Sequence, residues 1–328
     1  MVPTKVEISS KTIIFATFFI LALQFLWIIK DLIFSLFIAF IIVSALKPPV
    51  AFLEKYHIRR VIASCVIYLL FLFFIGNIFG LIFPPLISEL THLLRNLPAI
   101  IQNSPPYISS LINMESLGQY IPNITNKALD IIKDIFSNTL FVISTLFFGF
   151  YLLLEENAIR KILLKFYEEK EVRSVLTIID NSEKRLNAWF WGELTLMVVI
   201  GVMTFIGLNL IGMKYTLALA VLAGLLEAVP NIGPVISMIP AAIIGFSQSF
   251  FSGFANIALY FVIQQFENNL IVPLVMKKIV GLNPIITLMA LIIGGKLAGV
   301  LGILLSVPIM LFLETVLVEV ARAKKIRE

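Results

Sequence analysis

Several residue types that carry chemistry are scarce in this chain. It has one cysteine (Cys65), two histidines (His57 and His92) and four aspartates (Asp31, Asp130, Asp134 and Asp180). A single cysteine cannot form an intrachain disulfide, and Cys65 sits in an apolar run as a packing residue. Neither histidine lies in an apolar run, there is no HExxH, and every aspartate falls outside the hydrophobic runs. Metallo- and aspartyl-type intramembrane proteolysis therefore lack their residues. Gly294-Gly295-Lys296 has the look of a phosphate loop, but Ala290 stands where the first glycine belongs and Leu297 where Ser or Thr belongs. No ATP site, no metal, no cofactor and no enzyme activity is expected.

Charge is scarce as well. Only 14% of the 328 residues are charged, against 59% hydrophobic, and the mean hydropathy is +1.00. Soluble domains carry about 25% charged residues, so a cytosolic globular chain and a disordered chain are both excluded. Apolar runs near twenty residues also argue against a transmembrane β-barrel, whose strands alternate over about ten. The pattern is that of a polytopic helical membrane protein. The net charge of +5 points to topology, not to nucleic acid, because the basic residues lie between the apolar runs.

Charge-free runs mark the spans. Thr12–Ile29 and Leu32–Leu46 are separated only by Lys30-Asp31, so they form a tight helical hairpin or one broken element. The first reads as a retained helix without a signal-peptide cleavage site. Val61–Ser88, Ile135–Leu154 and Leu194–Met213 follow. Two intervening stretches are amphipathic: 84–136, with Leu86, Leu90, Leu93, Leu94 and Leu97 at helical spacing, and 155–190, with Ile159, Ile162, Leu163 and Phe166. The second is expected on the membrane surface or on a neighbouring subunit. Lys and Arg number four in 47–60, seven in 155–190 and four in 317–328, but only three in the long 84–136 segment. Both termini, 47–60 and 155–190 are thus expected in the cytoplasm, and 84–136 outside. The expected organisation is N-terminal helices 1–83, an outer segment 84–136, a span 137–154, a cytoplasmic segment 155–190, a core 191–316 and a basic tail 317–328.

The core carries two interruptions. Pro230-Asn231-Ile232-Gly233-Pro234 divides 215–229 from 233–247, and Gly294-Gly295 divides 284–294 from 297–317. Span 191–213 leads into the first hairpin from outside, and span 254–273 into the second from inside. The fold expected is an all-α polytopic membrane protein with about six full spans plus two Gly/Pro-broken hairpins in an inverted arrangement, a pattern that locates substrate sites in secondary transporters. The candidate solute-contacting residues are Pro230, Asn231, Gly233, Pro234, Gly294, Gly295 and Gly299. Glu227 and Glu267 are the candidate ion-coupling carboxylates, because a carboxylate in lipid is costly. Glu227 could instead cap the broken helix. Gln264 and Asn268 are further polar residues that line a cavity or mark the membrane boundary, Lys296 holds an anion or snorkels to water, and Glu314 reads as an interface anchor.

These motifs, in this order, are familiar. Lys47-Pro48-Pro49-Val50, the Pro230–Pro234 element with Pro240, Gln264-Gln265-Phe266-Glu267 with Pro273, Gly281-Leu282-Asn283-Pro284, and Gly294 to Gly302 with Ser306-Val307-Pro308 resemble the autoinducer-2 exporter family. Lys47 departs from that pattern, where Asn or Asp is usual. The resemblance implies a transporter of a prokaryotic cytoplasmic membrane, homo-oligomeric and by family pattern a pentamer. Its cargo would be a small polar solute such as autoinducer-2, or a cation exchanged for protons. A non-transporting scaffold is the reading from another class.

Overall fold

A computed structural model describes residues 10–77, 80, 84, 88, 92, 139–155, 157–230, 232–276 and 283–325. The described residues are all-helical. Of the 84–136 segment only Pro84, Ser88 and His92 are included, so its amphipathic helix lies outside the described residues. So do Asn231, Lys277, Lys278, Gly281 and Leu282.

Helices α1 (Ser10–Ile28) and α2 (Lys30–Lys55) meet at Ile29. The Ile29 N–H donates to Phe25 and the Ile33 N–H donates to Ile29, so the helical ladder runs on through the joint. The pair is one broken element and not a hairpin. None of the spanning window of α1 is buried, as suits a helix bathed in lipid. Helix α2 runs nine residues past the apolar run, through Pro48 and Pro49. Pro49 has no N–H, which leaves the Ala45 carbonyl without its helical donor. The indole N–H of Trp191 takes that place at 3.3 Å. A helix-weakening residue thus becomes a tie between two distant parts of the chain.

Helices α3 (Arg60–Asn77) and α4 (Thr139–Leu154) pack with α2 around Val43, Leu46, Val50, Ala63, Tyr68 and Leu153. Tyr68 lies over Gly149, and its hydroxyl donates to the Leu146 carbonyl at 2.6 Å. After a short α5 (Ala158–Leu163), α6 runs from Glu169 to Ile211 as one helix of 43 residues. The helix is continuous across residue 190, where the charge-based reading separated a surface segment from a span. Its charged half is held within the chain. Lys47 meets Glu183 at 2.6 Å, Arg185 meets Glu314 at 2.6 Å and Thr315 at 3.1 Å, and Asn181 meets Glu319 at 3.2 Å. One face of the 155–190 segment docks on α2 and on the last helix, while Ile162, Phe166 and Tyr167 remain exposed. Glu314, expected as an anchor, is an ion-pair partner.

Helix α6 ends at Gly212, with φ +72°, a left-handed conformation that glycine enters without strain. The chain returns as α7 (Thr216–Leu226), and α6 and α7 touch backbone to backbone where Gly224 meets Met197 and Gly201. Helix α8 (Ile232–Gln248) and helix α9 (Phe250–Phe266) follow, joined by the Ser249 cap, whose hydroxyl accepts from the Ser252 N–H at 3.0 Å. They approach closely at Gly245 and Gly253. A π-helical turn, Glu267–Ile271, and a short α10 (Val272–Val275) lead out of α9.

The last element, α11 (Pro284–Lys325), is helical at both ends but broken at Ala298 and Gly299. Gly299 has φ +58° and ψ −136°, a region essentially restricted to glycine. Gly294 and Gly302 press backbone against backbone, and Gly295 faces Ile303. In a straight helix residues eight apart are about 12 Å apart, so the chain has doubled back. The turn of the second hairpin is therefore at Ala298–Gly299, four residues beyond the expected Gly294-Gly295. Gly294 serves the crossing of the two arms, and Gly299 makes the turn.

Five helices are long and apolar enough to cross a membrane among the described residues: Lys11–Ile28, Lys30–Lys55, Arg60–Asn77, Glu169–Ile211 and Ile285–Arg322. Thr139–Leu154, Thr216–Leu226 and Ile232–Gln248 are apolar but shorter.

Candidate functional site

The first interruption is a compact turn between α7 and α8. Pro230 and Pro234 would leave the carbonyls of Leu226 and Pro230 without helical donors. Both are satisfied locally instead: the Val229 N–H donates to Leu226 at 2.9 Å, and the Ile232 N–H to Pro230 at 2.8 Å. Each carbonyl therefore has a local donor and keeps a second lone pair. Gly233 has a separate reason to be glycine. A Cβ there would collide with the Leu226 carbonyl, so the two arms close only over a bare backbone. Pro230 and Pro234 are half-buried in this turn.

Glu227 caps α7 immediately before the turn and is 3% exposed. Glu267 begins the π-helical turn after α9 and is 5% exposed. The two carboxyls face each other within interaction reach. Gln264, one turn back on α9, donates to Glu267 Oε2 at 3.0 Å. The structure thus brings together the two carboxylates and one amide that the sequence singled out. A third member was missed. Glu193 on α6 is 8% exposed and lies within electrostatic reach of both.

Three elements place these side chains. Helix α6 buries Glu193, Leu196, Ile200, Thr204 and Gly207 along one face, at helical spacing. The Gly201–Gly224 approach draws α7 against that face and sets Glu227 beside Glu193. The π-helical turn inserts an extra residue at the end of α9, a distortion frequent at functional sites. Glu227 Oε2 is buried without a partner among the described residues. No lysine or arginine contributes to the field around the three carboxyls among the described residues. In an apolar interior such a cluster is tolerated when protons or cations neutralise it.

The other expected site residues fall elsewhere. Gly294 and Gly295 are half-buried between the arms of the second hairpin, while Gly299, Lys296 and Asn268 are exposed. Asn231 lies outside the described residues. A cavity of about 270 Å³ lined by Lys47, Glu155, Arg160, Asp180 and Glu183 shares no residue with the carboxyl cluster.

Residues 14–322 match the AI-2E family transporter family. The chain is 27% identical to the candidate transport protein YueF of Bacillus subtilis (strain 168) over 326 residues, covering 93% of this chain and 88% of YueF. It is 23% identical to a second such protein of that organism, YrrI, over 323 residues, covering 92% of each. A shorter stretch of 113 residues is 38% identical to the candidate transport protein YhhT of Escherichia coli (strain K12), covering 33% of this chain and 32% of YhhT. Apolar spans, a broken hairpin and a buried carboxyl cluster thus occur in a chain matched almost from end to end, and the protein belongs to the AI-2E transporter family.

Proposed function

We propose that this membrane transporter is a secondary transporter that exports a small polar solute, such as autoinducer-2, in exchange for protons or cations held by Glu193, Glu227 and Glu267. The observation that carries this reading is the convergence of three buried carboxyls at the turn of a broken hairpin. Intramembrane carboxylates facing a protein interior mark ion pathways, and transporter sites lie beside interrupted helices. The solute contacts are assigned to backbone groups around Pro230, Gly233 and Pro234 and, from the second hairpin, Gly294, Gly295 and Gly299. The two hairpins are taken as inverted halves of one core. The protein is placed in the cytoplasmic membrane with both termini inside, as a homo-oligomer and by family pattern a pentamer.

A second reading is favoured by the composition of the cluster. It is wholly acidic apart from the Gln264 amide, so cation/proton antiport needs no solute site at all. A flux screen in proteoliposomes, with and without a proton gradient, separates the two. Gradient-driven solute efflux that is lost in Glu227→Gln supports the export reading. Sodium-driven proton release with no solute flux overturns it in favour of antiport.

A further inference from the structure

The carboxyl cluster stands at one end of a row of buried polar groups that the proposed exchange does not use. On α9, Asn256, Tyr260, Gln264 and Glu267 recur at intervals of four, four and three, which places them on one face. That face is turned inward: Asn256 is fully buried, and Tyr260 and Glu267 are nearly so. Neither Asn256 Oδ1 nor Asn256 Nδ2 has a partner among the described residues, and the Tyr260 hydroxyl, beside Ser237 of α8, makes no closer bond. Thr204 of α6 is fully buried with an unpartnered hydroxyl, one turn from Gly207, where α6 meets Leu259 of α9. At the far end, beside the Ser249 cap, Gln248 Nε2 is buried and unpartnered.

Buried polar atoms without protein partners are rare, and ordered water is their usual complement. Here they are not scattered. They follow α9 from Asn256 to the carboxyls, a distance of about 16 Å. Amides and hydroxyls both donate and accept, so water between them forms a hydrogen-bonded file. A cation that sheds its hydration shell needs several oxygens at one point, whereas these groups are spread one per turn.

We propose that the buried polar face of α9, from Asn256 through Tyr260 and Gln264 to Glu267 at its end, with Gln248 of α8 toward the other end, holds a file of water that carries protons between one membrane surface and the carboxyl cluster. The proton enters from bulk water, passes by exchange of hydrogen bonds along the file, and binds a carboxylate oxygen of Glu267. It is released when cation or solute takes its place, and no other bond changes. The proposal rests on the coupling role of the cluster and adds the identity of one coupling ion and its route.

Two measurements test it on the full-length protein. In a Cys65→Ser background, silver ion should block Asn256→Cys and Tyr260→Cys at least about tenfold faster than the lipid-facing Phe261→Cys, because only a thiol in contact with water forms the reactive thiolate. Equal rates overturn the file. In proteoliposomes with a pH dye, Asn256→Leu should slow proton movement about tenfold by leaving its neighbours without a hydrogen-bonding partner. Asn256→Ser should recover much of the loss, and Phe261→Leu should match the parent. A parent that moves protons with Asn256→Leu and Tyr260→Phe unimpaired overturns the route alone. A parent that moves no protons under any cation or solute gradient overturns the coupling role and the route together.

Discussion

The two hairpins of the core were read from similar sequence signals, yet they are built differently. The first turns on prolines, satisfies its freed carbonyls at home and carries a buried carboxyl at its edge. The second turns on one left-handed glycine, and both its arms expose large apolar side chains, Ile285 and Ile292 in the first and Leu313 and Leu317 in the second. The first is packed against α6 through Gly201 and Gly224, and the second meets α6 along its long distal arm, where Leu305 and Leu311 share a buried cluster with Leu186 and Arg185 pairs with Glu314. A break in a membrane helix is therefore not in itself a site. What distinguishes the first hairpin is the charge it buries.

The largest expected effect lies in that charge. Glu227→Gln should abolish gradient-driven flux while folding and oligomeric state stay intact, since the amide keeps the shape and cannot titrate. Lys296→Gln, next to the second turn but exposed, should reduce flux only modestly. Comparable losses in both would erase the distinction between the hairpins.

Next comes the backbone. Gly233→Ala drives a Cβ into the Leu226 carbonyl and should cost about 2–3 kcal/mol. Gly299→Ala meets no neighbouring atom but must hold a glycine-only conformation, and should cost about 1–3 kcal/mol. Thermal unfolding in detergent reads both. The first should also impair transport out of proportion to its stability loss, because it moves Glu227.

The seam between α6 and the last helix is expected to matter less. Arg185→Ala removes a pair with Glu314 that is partly open to solvent, a change of about 1 kcal/mol or less. A double-mutant cycle with Glu314→Ala should return a coupling of that size, and a zero coupling would demote the pair to a contact without energetic weight.

Smallest is the effect at the end of α4. The Lys161 ammonium bonds the Glu155 carboxyl at 2.7 Å and, with the Tyr151 hydroxyl, holds it below the usual carboxylate range. A carboxyl lowered by folding stabilises the protein above its unfolded pKa, and that contribution fades as pH falls through its folded value. Lys161→Met should therefore lower the melting temperature slightly near neutral pH, with the difference from the parent closing in acid. A difference that grew in acid would have the wrong sign for this pair.

Much of the fold was legible because apolar runs and proline breaks are local signals. The misreadings share one cause. Spans were drawn as charge-free runs, which puts every carboxylate at a border by construction. Glu193 was lost that way, one residue before Leu194. The signal that would have found it was its spacing of three and seven from Leu196 and Ile200, on the face that α6 buries. The same habit cut α6 at residue 190, although no proline or turn residue stands there. The second turn was placed at Gly294-Gly295 because two glycines look more flexible than one. The three-dimensional crossing needs small residues at Gly294 and Gly302, and only the chain between them can turn. Glu227 was found because it is an isolated charge within an apolar stretch, and Glu267 because it stands among Gln264, Gln265, Asn268 and Asn269 at the end of a span.

Helix α6 has a mechanical consequence. Its 43 residues make a rod about 64 Å long, with no proline to act as a joint. One end is clamped by Lys47, Glu314 and Glu319, and Glu193 rides on the same rod some two turns beyond the clamp. A rod cannot tilt at one end alone. Any rearrangement of the clamped end must swing Glu193 relative to Glu227 and Glu267, which are carried by other helices. Under the proposed exchange, the affinity of the cluster for its ion is then set in part by a lever whose handle is the clamped end near Glu183 and Arg185.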